Sequence, residues 1–138
     1  QYRLMKNHAL YTYNALKEIK GLEIITDWAS FHHERLDGKG YPFSYSAKDL
    51  NLGARIVAVA DLFTATAEDR PYRKGMAKEE VLGIIEGLVE DGAVDGRVVS
   101  VLRDNYDWIN SARKTVQEEA DKTYQEFQEQ VKGFKVKK

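Results

Sequence analysis

The sequence predicts an all-α fold, and three observations support that prediction. Proline occurs only at Pro42 and Pro71, apolar and polar residues do not alternate as they do in strands, and apolar residues recur every three or four positions. The two prolines mark loops between helical segments. We therefore expect one helical bundle that ends in a long C-terminal helix.

The composition is that of one globular domain, since 43% of the 138 residues are hydrophobic and 31% are charged. A formal net charge of -1 provides no field to attract duplex nucleic acid or an anionic membrane. Without cysteine, any metal site must use His, Asp and Glu ligands. The chain has no membrane-spanning run and no signal peptide, so we expect a cytoplasmic piece of a longer protein, which could itself be membrane-tethered.

The first helix is predicted from about Leu4 to Ile19, where apolar residues recur at helical spacing, and Gly21 is expected to stop it. Its inner stripe contains His8. A single histidine on an apolar face is more often a core residue bonded to a carbonyl than a metal ligand, so both interpretations of His8 stay open.

The second helix is predicted to begin near Leu22 and to be closed by the adjacent histidines His32 and His33. Consecutive residues on a helix point about 100° apart, so the pair suits two ions of a cluster better than a single ion. The alternative is one core residue beside one solvent-facing residue. The turn-forming pair Asp37-Gly38 follows the histidines.

The segment from Leu36 to about Asn51 is predicted to be a binding loop. Gly38, Gly40 and Pro42 are too many helix breakers for a helix interior, and the segment is too aromatic for a simple linker. The glycines could equally serve only to form turns.

The third helix, from Leu52 to about Glu68, is the most apolar and is predicted to be buried on several sides. Asp61 lies in its middle and is therefore expected to be buried, which requires a compensating positive charge. Either Arg55 or Arg70 forms a structural ion pair with it, or a metal ion bridges it to the histidines. Imidazole and carboxylate ligands suit iron, manganese or zinc.

A basic loop follows this helix, with Arg70, Arg73 and Lys74 close to Pro71 and Tyr72. Two guanidinium groups can hold phosphate oxygens through paired hydrogen bonds, and a tyrosine ring can pack on a base or sugar. The alternative is that these cations simply lie near a helix C-terminus, where the helix dipole favours positive charge.

Two further helices complete the chain. One is predicted from Glu79 to Glu90, with Gly92 as its stop, and a long last helix is predicted to be capped by Asp95. The last helix carries one apolar stripe on an otherwise charged surface, so we expect it to pack on a partner or on a second copy. The lysine-rich end, residues 132–138, is expected to fray.

Several segments taken together resemble the HD-GYP family of cyclic di-GMP phosphodiesterases. They are His32-His33-Glu34, Asp37-Gly38, Gly40-Tyr41-Pro42, the run from Ala54 to Asp61, and Arg70-Pro71-Tyr72-Arg73. The resemblance extends from about Met5 to Val99 and fades along the last helix. It implies a partial HD-domain-like helical bundle in residues 1–99, followed by the long helix and basic tail in residues 100–138.

The resemblance also implies roles for individual residues. The residues that match metal ligands are His8, His32, His33 and Asp61, of which His33 and Asp61 would take part in catalysis. Those that match the substrate site are Gly40, Tyr41 and Pro42, with Arg70 and Arg73 at the phosphates. Asp37 would support a histidine or the loop from behind. In that family two or three divalent metal ions, with iron or manganese favoured here, serve the hydrolysis of cyclic di-GMP to pGpG and onward to GMP.

The chain also departs from the family pattern. The family places a glutamate and a His-Asp pair with a nearby lysine upstream of the residue that matches His8, whereas only seven residues precede His8 here, and no His-Asp dipeptide occurs. We expect either that the chain starts inside the domain or that the natural protein lacks the pair. The segment from Ser44 to Lys48 differs from the glycine-containing loop of the family and bears on substrate fit.

These features favour an enzyme whose parent protein hydrolyses cyclic di-GMP and carries a sensory or receiver domain upstream. The alternatives are a catalytically incomplete nucleotide-binding or signalling module and another HD-type phosphohydrolase. A purely structural helical scaffold agrees poorly with paired histidines and a carboxylate in an apolar helix. A homodimer through the last helix is the expected assembly.

Overall fold

The structure of the chain is a computed structural model. It describes the backbone of residues 2–70 and 73–134 and the side chains of residues 7–70 and 73–131. The predicted contribution of Leu4 to the first stripe, the roles of Pro71 and Tyr72, and the frayed tail in residues 132–138 lie outside the described residues.

The described residues form six α-helices and no strand, which confirms the all-α prediction. The chain divides into two compact units, residues 1–104 and residues 105–138. The helices are α1 (Tyr2–Leu16), α2 (Glu23–Ser30), α3 (Leu52–Ala67), α4 (Lys78–Glu90), α5 (Gly96–Asp104) and α6 (Tyr106–Phe134). None of the described helices combines the length and the apolar character needed to cross a lipid bilayer.

The first two helices pack against each other. His8 lies on α1, and His32 and His33 follow the end of α2. The chain turns between them at Gly21, whose φ of 88° lies in the left-handed region that favours glycine. The prediction that the second helix extends to the histidines is wrong, because α2 ends at Ser30. The amide of Glu34 donates to the carbonyl of Phe31 over 2.9 Å, so a tight turn replaces the helical hydrogen bonds at this point.

Helix α3 begins at Asn51, whose side chain accepts the amide of Ala54 and caps the helix. The helix packs on several others, as predicted, but it is not buried all round, since Leu52 and Ile56 are 58% and 47% exposed. Helices α2, α4 and α5 contact α3, and a strip at four-residue spacing stays outside those contacts. The buried face consists of Ala54, Ala58, Val59 and Phe63.

Helix α4 ends at Glu90, and Gly92 follows as its predicted stop. The amide of Gly92 donates to Val89 and that of Ala93 to Leu88, and Gly92 has a φ of 68°, so the helix closes with a Schellman motif. The segment that follows carries Asp95, whose Oδ1 accepts the amide of Arg97 over 3.0 Å and so caps α5.

The prediction of a single last helix is wrong, because α5 ends at Asp104 and α6 begins at Tyr106. The carbonyl of Asn105 accepts the amide of Ile109 over 3.0 Å, which starts a new series of helical hydrogen bonds. Asp and Asn compete with helical bonding through their own side chains, which favours a break between Asp104 and Asn105.

The core of the first unit lies between these helices and the loop that joins α2 to α3. Phe31, Leu50 and Ala54 form one buried cluster, on which Phe43 and Tyr45 of that loop pack. The loop is therefore fixed by the core rather than projecting from it. The other buried apolar side chains of this unit include Ala9, Val59, Phe63, Val81, Ile85, Ala93, Val99 and Leu102.

Candidate metal centre

Three histidines from two elements of the first unit meet at one point. His8 lies on α1, and His32 and His33 lie in the turn after α2; their candidate ligand nitrogens are all within 4.8 Å of one another. The Nε2 atoms of His8 and His32 are 3.2 Å apart. The rings of His8 and His33 meet edge to face with centroids 4.9 Å apart. His8 is exposed, which argues against the alternative of a core histidine.

Asp61 on α3 approaches the same cluster. Its Oδ2 is 3.9 Å from Nδ1 of His33. The prediction that Asp61 is buried is wrong, because its side chain is 46% exposed. Neighbouring residues on a helix point about 100° away, so Val59 and Phe63 face the core while the carboxylate faces the histidines. Arg55 does not compensate it, since Arg55 forms its ion pair with Asp95.

A hydrogen bond fixes the orientation of the His32 ring. Nδ1 of His32 lies 2.9 Å from the carbonyl oxygen of Ala29. A carbonyl can only accept, so Nδ1 carries the hydrogen, and in the neutral form of the ring Nε2 has the lone pair. Metal-binding histidines are commonly oriented in this way. Nε2 of His32 therefore faces Nε2 of His8.

The imidazole of His33 is neutral at physiological pH. Burial lowers its pKa to about 4, and the positive charges of His32 and His8, when protonated, lower it further, while Asp61 acts in the opposite direction. Its contact with Asp61 is therefore not a salt bridge at pH 7. A neutral imidazole is the form that binds metal ions.

These four side chains fit a divalent transition metal. Three imidazole nitrogens and a carboxylate oxygen form a donor set that suits iron, manganese or zinc. The lone pair on His32 and the depressed pKa of His33 both present the ligands in their binding form. His8, His32, His33 and Asp61 are thus the residues that would hold such an ion.

The Gly40-Tyr41-Pro42 segment lies directly against the cluster. The ring of Tyr41 stacks on the ring of His33, with centroids 4.8 Å apart and an interplanar angle of 29°. The amide of Tyr41 donates to the carbonyl of His33 over 3.2 Å. A Cβ atom on Gly40 would lie 2.4 Å from Cα of Glu34, so glycine is required for this close approach. The Tyr41-Pro42 peptide bond is cis.

Glu34 is a residue of this site to which the sequence analysis assigned no role. It is only 4% exposed. Its two carboxylate oxygens accept the amides of Phe43 over 2.6 Å and Tyr45 over 3.0 Å. Burial raises its pKa, and these backbone hydrogen bonds oppose the rise. The available signal in the sequence was a glutamate next to an apolar, aromatic segment. Such a glutamate is expected to be buried, and a buried carboxylate needs hydrogen-bond donors from the backbone.

Asp37 supports the loop rather than a histidine. Its carboxylate accepts two hydrogen bonds from the guanidinium of Arg35, over 3.1 and 2.8 Å, and one from the amide of Lys39. The Arg35 hydrogen bonds are the main reason why its pKa is lowered to about 2. Asp37 also pairs through its backbone with Ser46 across the loop. Asp37 was predicted to support either a histidine or the geometry of the loop, and these contacts favour the loop.

The two arginines of the basic loop differ in their surroundings. The guanidinium of Arg73 donates to the carbonyls of Ala65 over 2.6 Å and Thr66 over 3.4 Å, at the C-terminal end of α3. This contact agrees with the alternative in which the helix dipole stabilises a cation near the helix C-terminus. The backbones of Arg70 and Arg73 pair with each other, and the side chain of Arg70 is exposed. A phosphate-binding role stays a prediction for both residues.

Arg55 links the loop to the start of α5. Its guanidinium donates to Asp95 over 3.0 Å and to the carbonyl of Leu50 over 2.9 Å, and it also bonds the carbonyl of Ala47. Hydrogen bonds from Arg97 and Arg55 hold the pKa of the Asp95 carboxyl well below its usual range. Sequence reasoning missed this pair because the two residues lie far apart along the chain.

A cavity of about 170 Å³ opens beside the cluster. Its lining combines polar residues, among them His32, His33 and Asp61, with apolar residues that include Leu62, Leu88 and Val94. A concave surface with a few converging polar groups and an apolar wall is typical of small-ligand sites.

Comparison with known proteins agrees with this arrangement. The sequence profile of the HD domain family matches residues 1–98. The chain is 36% identical over 102 residues to the 3'3'-cGAMP-specific phosphodiesterase 1 of Vibrio cholerae, covering 74% of this chain and 24% of that protein. It is 42% identical over 59 residues to a cyclic di-GMP phosphodiesterase of Pseudomonas aeruginosa, covering 43% of this chain and 14% of that protein.

A third relative is the cyclic di-GMP phosphodiesterase response regulator RpfG of Xanthomonas campestris, 36% identical over 84 residues, which are 59% of this chain and 22% of that protein. The chain thus spans less than a quarter of the length of each of these three relatives. The HD profile covers most of the chain, and the relatives are named as cyclic di-GMP or 3'3'-cGAMP phosphodiesterases. The chain therefore belongs to the HD domain family and, within it, to the HD-GYP group.

Proposed function

We propose that this chain forms part of the active site of a metal-dependent phosphodiesterase that hydrolyses cyclic di-GMP to pGpG and GMP. The observation that carries the proposal is the convergence of three histidine rings and Asp61 from three separate elements of the fold. Histidines with a purely structural role have no reason to bring the nitrogens of three rings close enough to share metal ions. Membership of the HD-GYP group gives this donor set a chemical context.

The metal ions proposed for this site are iron or manganese, two or three of them in the complete domain. Bound divalent ions polarise phosphoryl oxygens and make water a stronger nucleophile at neutral pH. The chain contributes three imidazoles, of which that of His33 has a lowered pKa, and one carboxylate. His33 and Asp61 are proposed to act at the reacting phosphate because both line the cavity.

The remaining residues of the proposed site bind and orient the dinucleotide. The ring of Tyr41 is rigidly placed beside His33 and offers an aromatic face or edge to a base or sugar. Gly40 and Pro42 set the course of the loop around it. The exposed guanidinium of Arg70 is proposed to contact a phosphate, with Arg73 beside it at the end of α3.

A second substrate, 3'3'-cGAMP, is favoured by a specific observation. The relative that shares 36% identity over 74% of this chain carries that substrate in its name. Both molecules are cyclic dinucleotides and differ at one base. We therefore propose cyclic dinucleotides as the substrate class, with hydrolysis of cyclic di-GMP and 3'3'-cGAMP compared side by side in the same assay.

The decisive test is replacement of Asp61 in the full-length protein. Asp61→Ala is expected to reduce kcat with Mn²⁺ or Fe²⁺ by at least about 100-fold, because it removes the carboxylate that faces the cluster. The matched control is Glu79→Ala, which removes an exposed carboxylate on α4. Product analysis by chromatography would distinguish pGpG from GMP.

Full activity in Asp61→Ala would refute the proposed site. Absence of turnover in the wild type, together with metal-free binding of cyclic di-GMP in calorimetry, would instead favour a nucleotide-binding module. Hydrolysis of another phosphate ester alone would favour a different HD-type phosphohydrolase.

The wider setting of the chain is also a proposal. We infer a sensory or receiver domain upstream in the parent, in line with the response-regulator relative. We infer a division of the chain into the HD-GYP part, residues 1–99, and a C-terminal part, residues 100–138. A cytoplasmic location suits a nucleotide messenger as substrate. A homodimer through α6 is supported by the exposed apolar side chains of that helix.

A further inference from the structure

Glu34 connects the metal cluster to the loop that carries Tyr41. It follows His33 directly in the chain, and its carboxylate is buried beneath the loop. Each carboxylate oxygen accepts one backbone amide, Oε1 from Phe43 and Oε2 from Tyr45. Both acceptors are therefore used to hold residues that lie two and four positions after Tyr41.

The loop is attached on the other side of Tyr41 as well. Gly40 packs against the backbone of Glu34, where a Cβ atom would come within 2.4 Å of its Cα atom. The amide of Tyr41 bonds the carbonyl of His33. The backbone of Tyr41 is thus held between two attachments to the same short segment, and its ring stacks on that of His33.

Aromatic packing supports the same geometry. The rings of Phe43 and Tyr45 stack with centroids 5.2 Å apart, and the ring of Phe31 meets both edge to face. Tyr13 of α1 contacts Phe43 with centroids 5.0 Å apart. The buried carboxylate therefore has a rigid apolar surrounding, in which an amide that lost its acceptor would stay unsatisfied.

We propose that Glu34 is a positioning residue that acts through Tyr41, fixing the tyrosine ring against His33 for substrate binding without serving as a metal ligand. This inference rests on the proposed function. Glutamine has the same shape but only one carbonyl oxygen. Its NH2 group would therefore face one of the two backbone N–H groups, and two donors cannot form a hydrogen bond. Glu34→Gln therefore loosens the loop while it preserves the volume of the side chain.

The experiment measures metal content, KM and kcat separately in the full-length protein. Glu34→Gln is expected to raise KM for the cyclic dinucleotide about ten-fold, the effect of one lost hydrogen bond in an ordered contact, with kcat changed less than about three-fold. Its manganese content is expected to equal that of the wild type. The matched control is Asp49→Asn, another loop carboxylate that accepts a backbone amide, from Ser46, and it should leave KM unchanged.

A double-mutant cycle separates positioning from a general structural role. In a Tyr41→Ala background, Glu34→Gln is expected to change KM by less than about two-fold, because the residue through which it acts is gone. If Glu34→Gln fails to fold, Gly40→Ala provides the same test from the opposite side of the loop, and KM should rise there too.

The outcomes distinguish the two proposals. Suppose that the wild type is active. An unchanged KM in Glu34→Gln, or an equal effect of Glu34→Gln on KM with and without Tyr41, would then overturn the role of Glu34 but not the proposed function. Loss of metal from Glu34→Gln would also overturn it. A wild type that hydrolyses no cyclic dinucleotide would overturn the proposed function and this inference together.

Discussion

At the residue scale, burial beside other imidazoles controls the charge of His33. Only 25% of the His33 side chain is exposed, and the pKa of about 4 follows mainly from that burial. The same burial that prepares His33 for a metal ion costs stability when protons are abundant. Between pH 4 and 6.5 the unfolded chain binds a proton at this position and the folded chain does not.

The metal-free chain is therefore expected to lose stability as the pH falls from about 6.5 to 4. His33→Gln should reduce this pH dependence by about 2 kcal/mol between pH 7 and 5. Urea unfolding at both pH values, with EDTA present, measures the difference. Identical pH dependence in the two proteins would show that the folded state pays no such cost at His33.

The sequence predicted which residues converge better than it predicted their surroundings. The adjacent histidines and Asp61 were identifiable because their residue types suit metals and the order of motifs resembles a known family. The burial of Asp61 was inferred from its apolar neighbours, but a helix directs each neighbour to a different side. The role of Glu34 depends on two backbone amides nine and eleven residues away, which no local pattern encodes.

At the scale of elements, the junction of α2 with α3 depends on a glycine. A Cβ atom on Gly53 would lie 2.0 Å from Nε1 of Trp28. The indole N–H donates to Oδ1 of Asn51, and the amide group of Asn51 donates to Asp27. Because Asn51 also caps α3, this contact fixes the start of the helix that carries Asp61.

Gly53→Ala is expected to destabilise the fold by about 1–3 kcal/mol, because the new methyl group displaces the Trp28 ring. Gly83→Ala in α4 is the control. Gly83 is exposed with open space around it, so alanine there should stabilise by about 0.5–1 kcal/mol through its helix propensity. Denaturant unfolding of both variants tests the contrast, and equal effects would rule out the steric explanation.

The ends of the helices were only partly predictable. Gly92 was identified as a stop because a left-handed residue after a helix is usually glycine. The break at Asn105 was missed because the apolar stripe continues across it, and periodicity alone does not register a local change of hydrogen bonding. The capping function of Asp95 was predicted, whereas its ion pair with Arg55 depends on the tertiary fold.

At the scale of the whole molecule, the second unit presents apolar side chains on a charged helix. Val116, Tyr124 and Phe127 of α6 are 65%, 61% and 60% exposed. Their spacing of three to eight residues keeps them on a common side of the helix. Exposed apolar residues arranged in this way mark a surface for association.

The chain is expected to self-associate with rising concentration, and Phe127→Glu should weaken that association at least about ten-fold by placing a charge in the apolar stripe. Glu118→Gln, on the same helix, is the control. Light scattering over a concentration series measures the mass, and a monomer at every concentration in the wild type would contradict the expectation.

The wide separation of the cluster residues along the chain has a consequence for experiments on folding. From His8 to Asp61 the four candidate ligands lie on three elements that must dock before their atoms meet, so the unfolded chain has no such arrangement. Cobalt(II), which absorbs visible light with an intensity that depends on its coordination, would then be coloured differently by native and denatured chains. The cluster would thus provide an optical probe of tertiary structure without an attached dye.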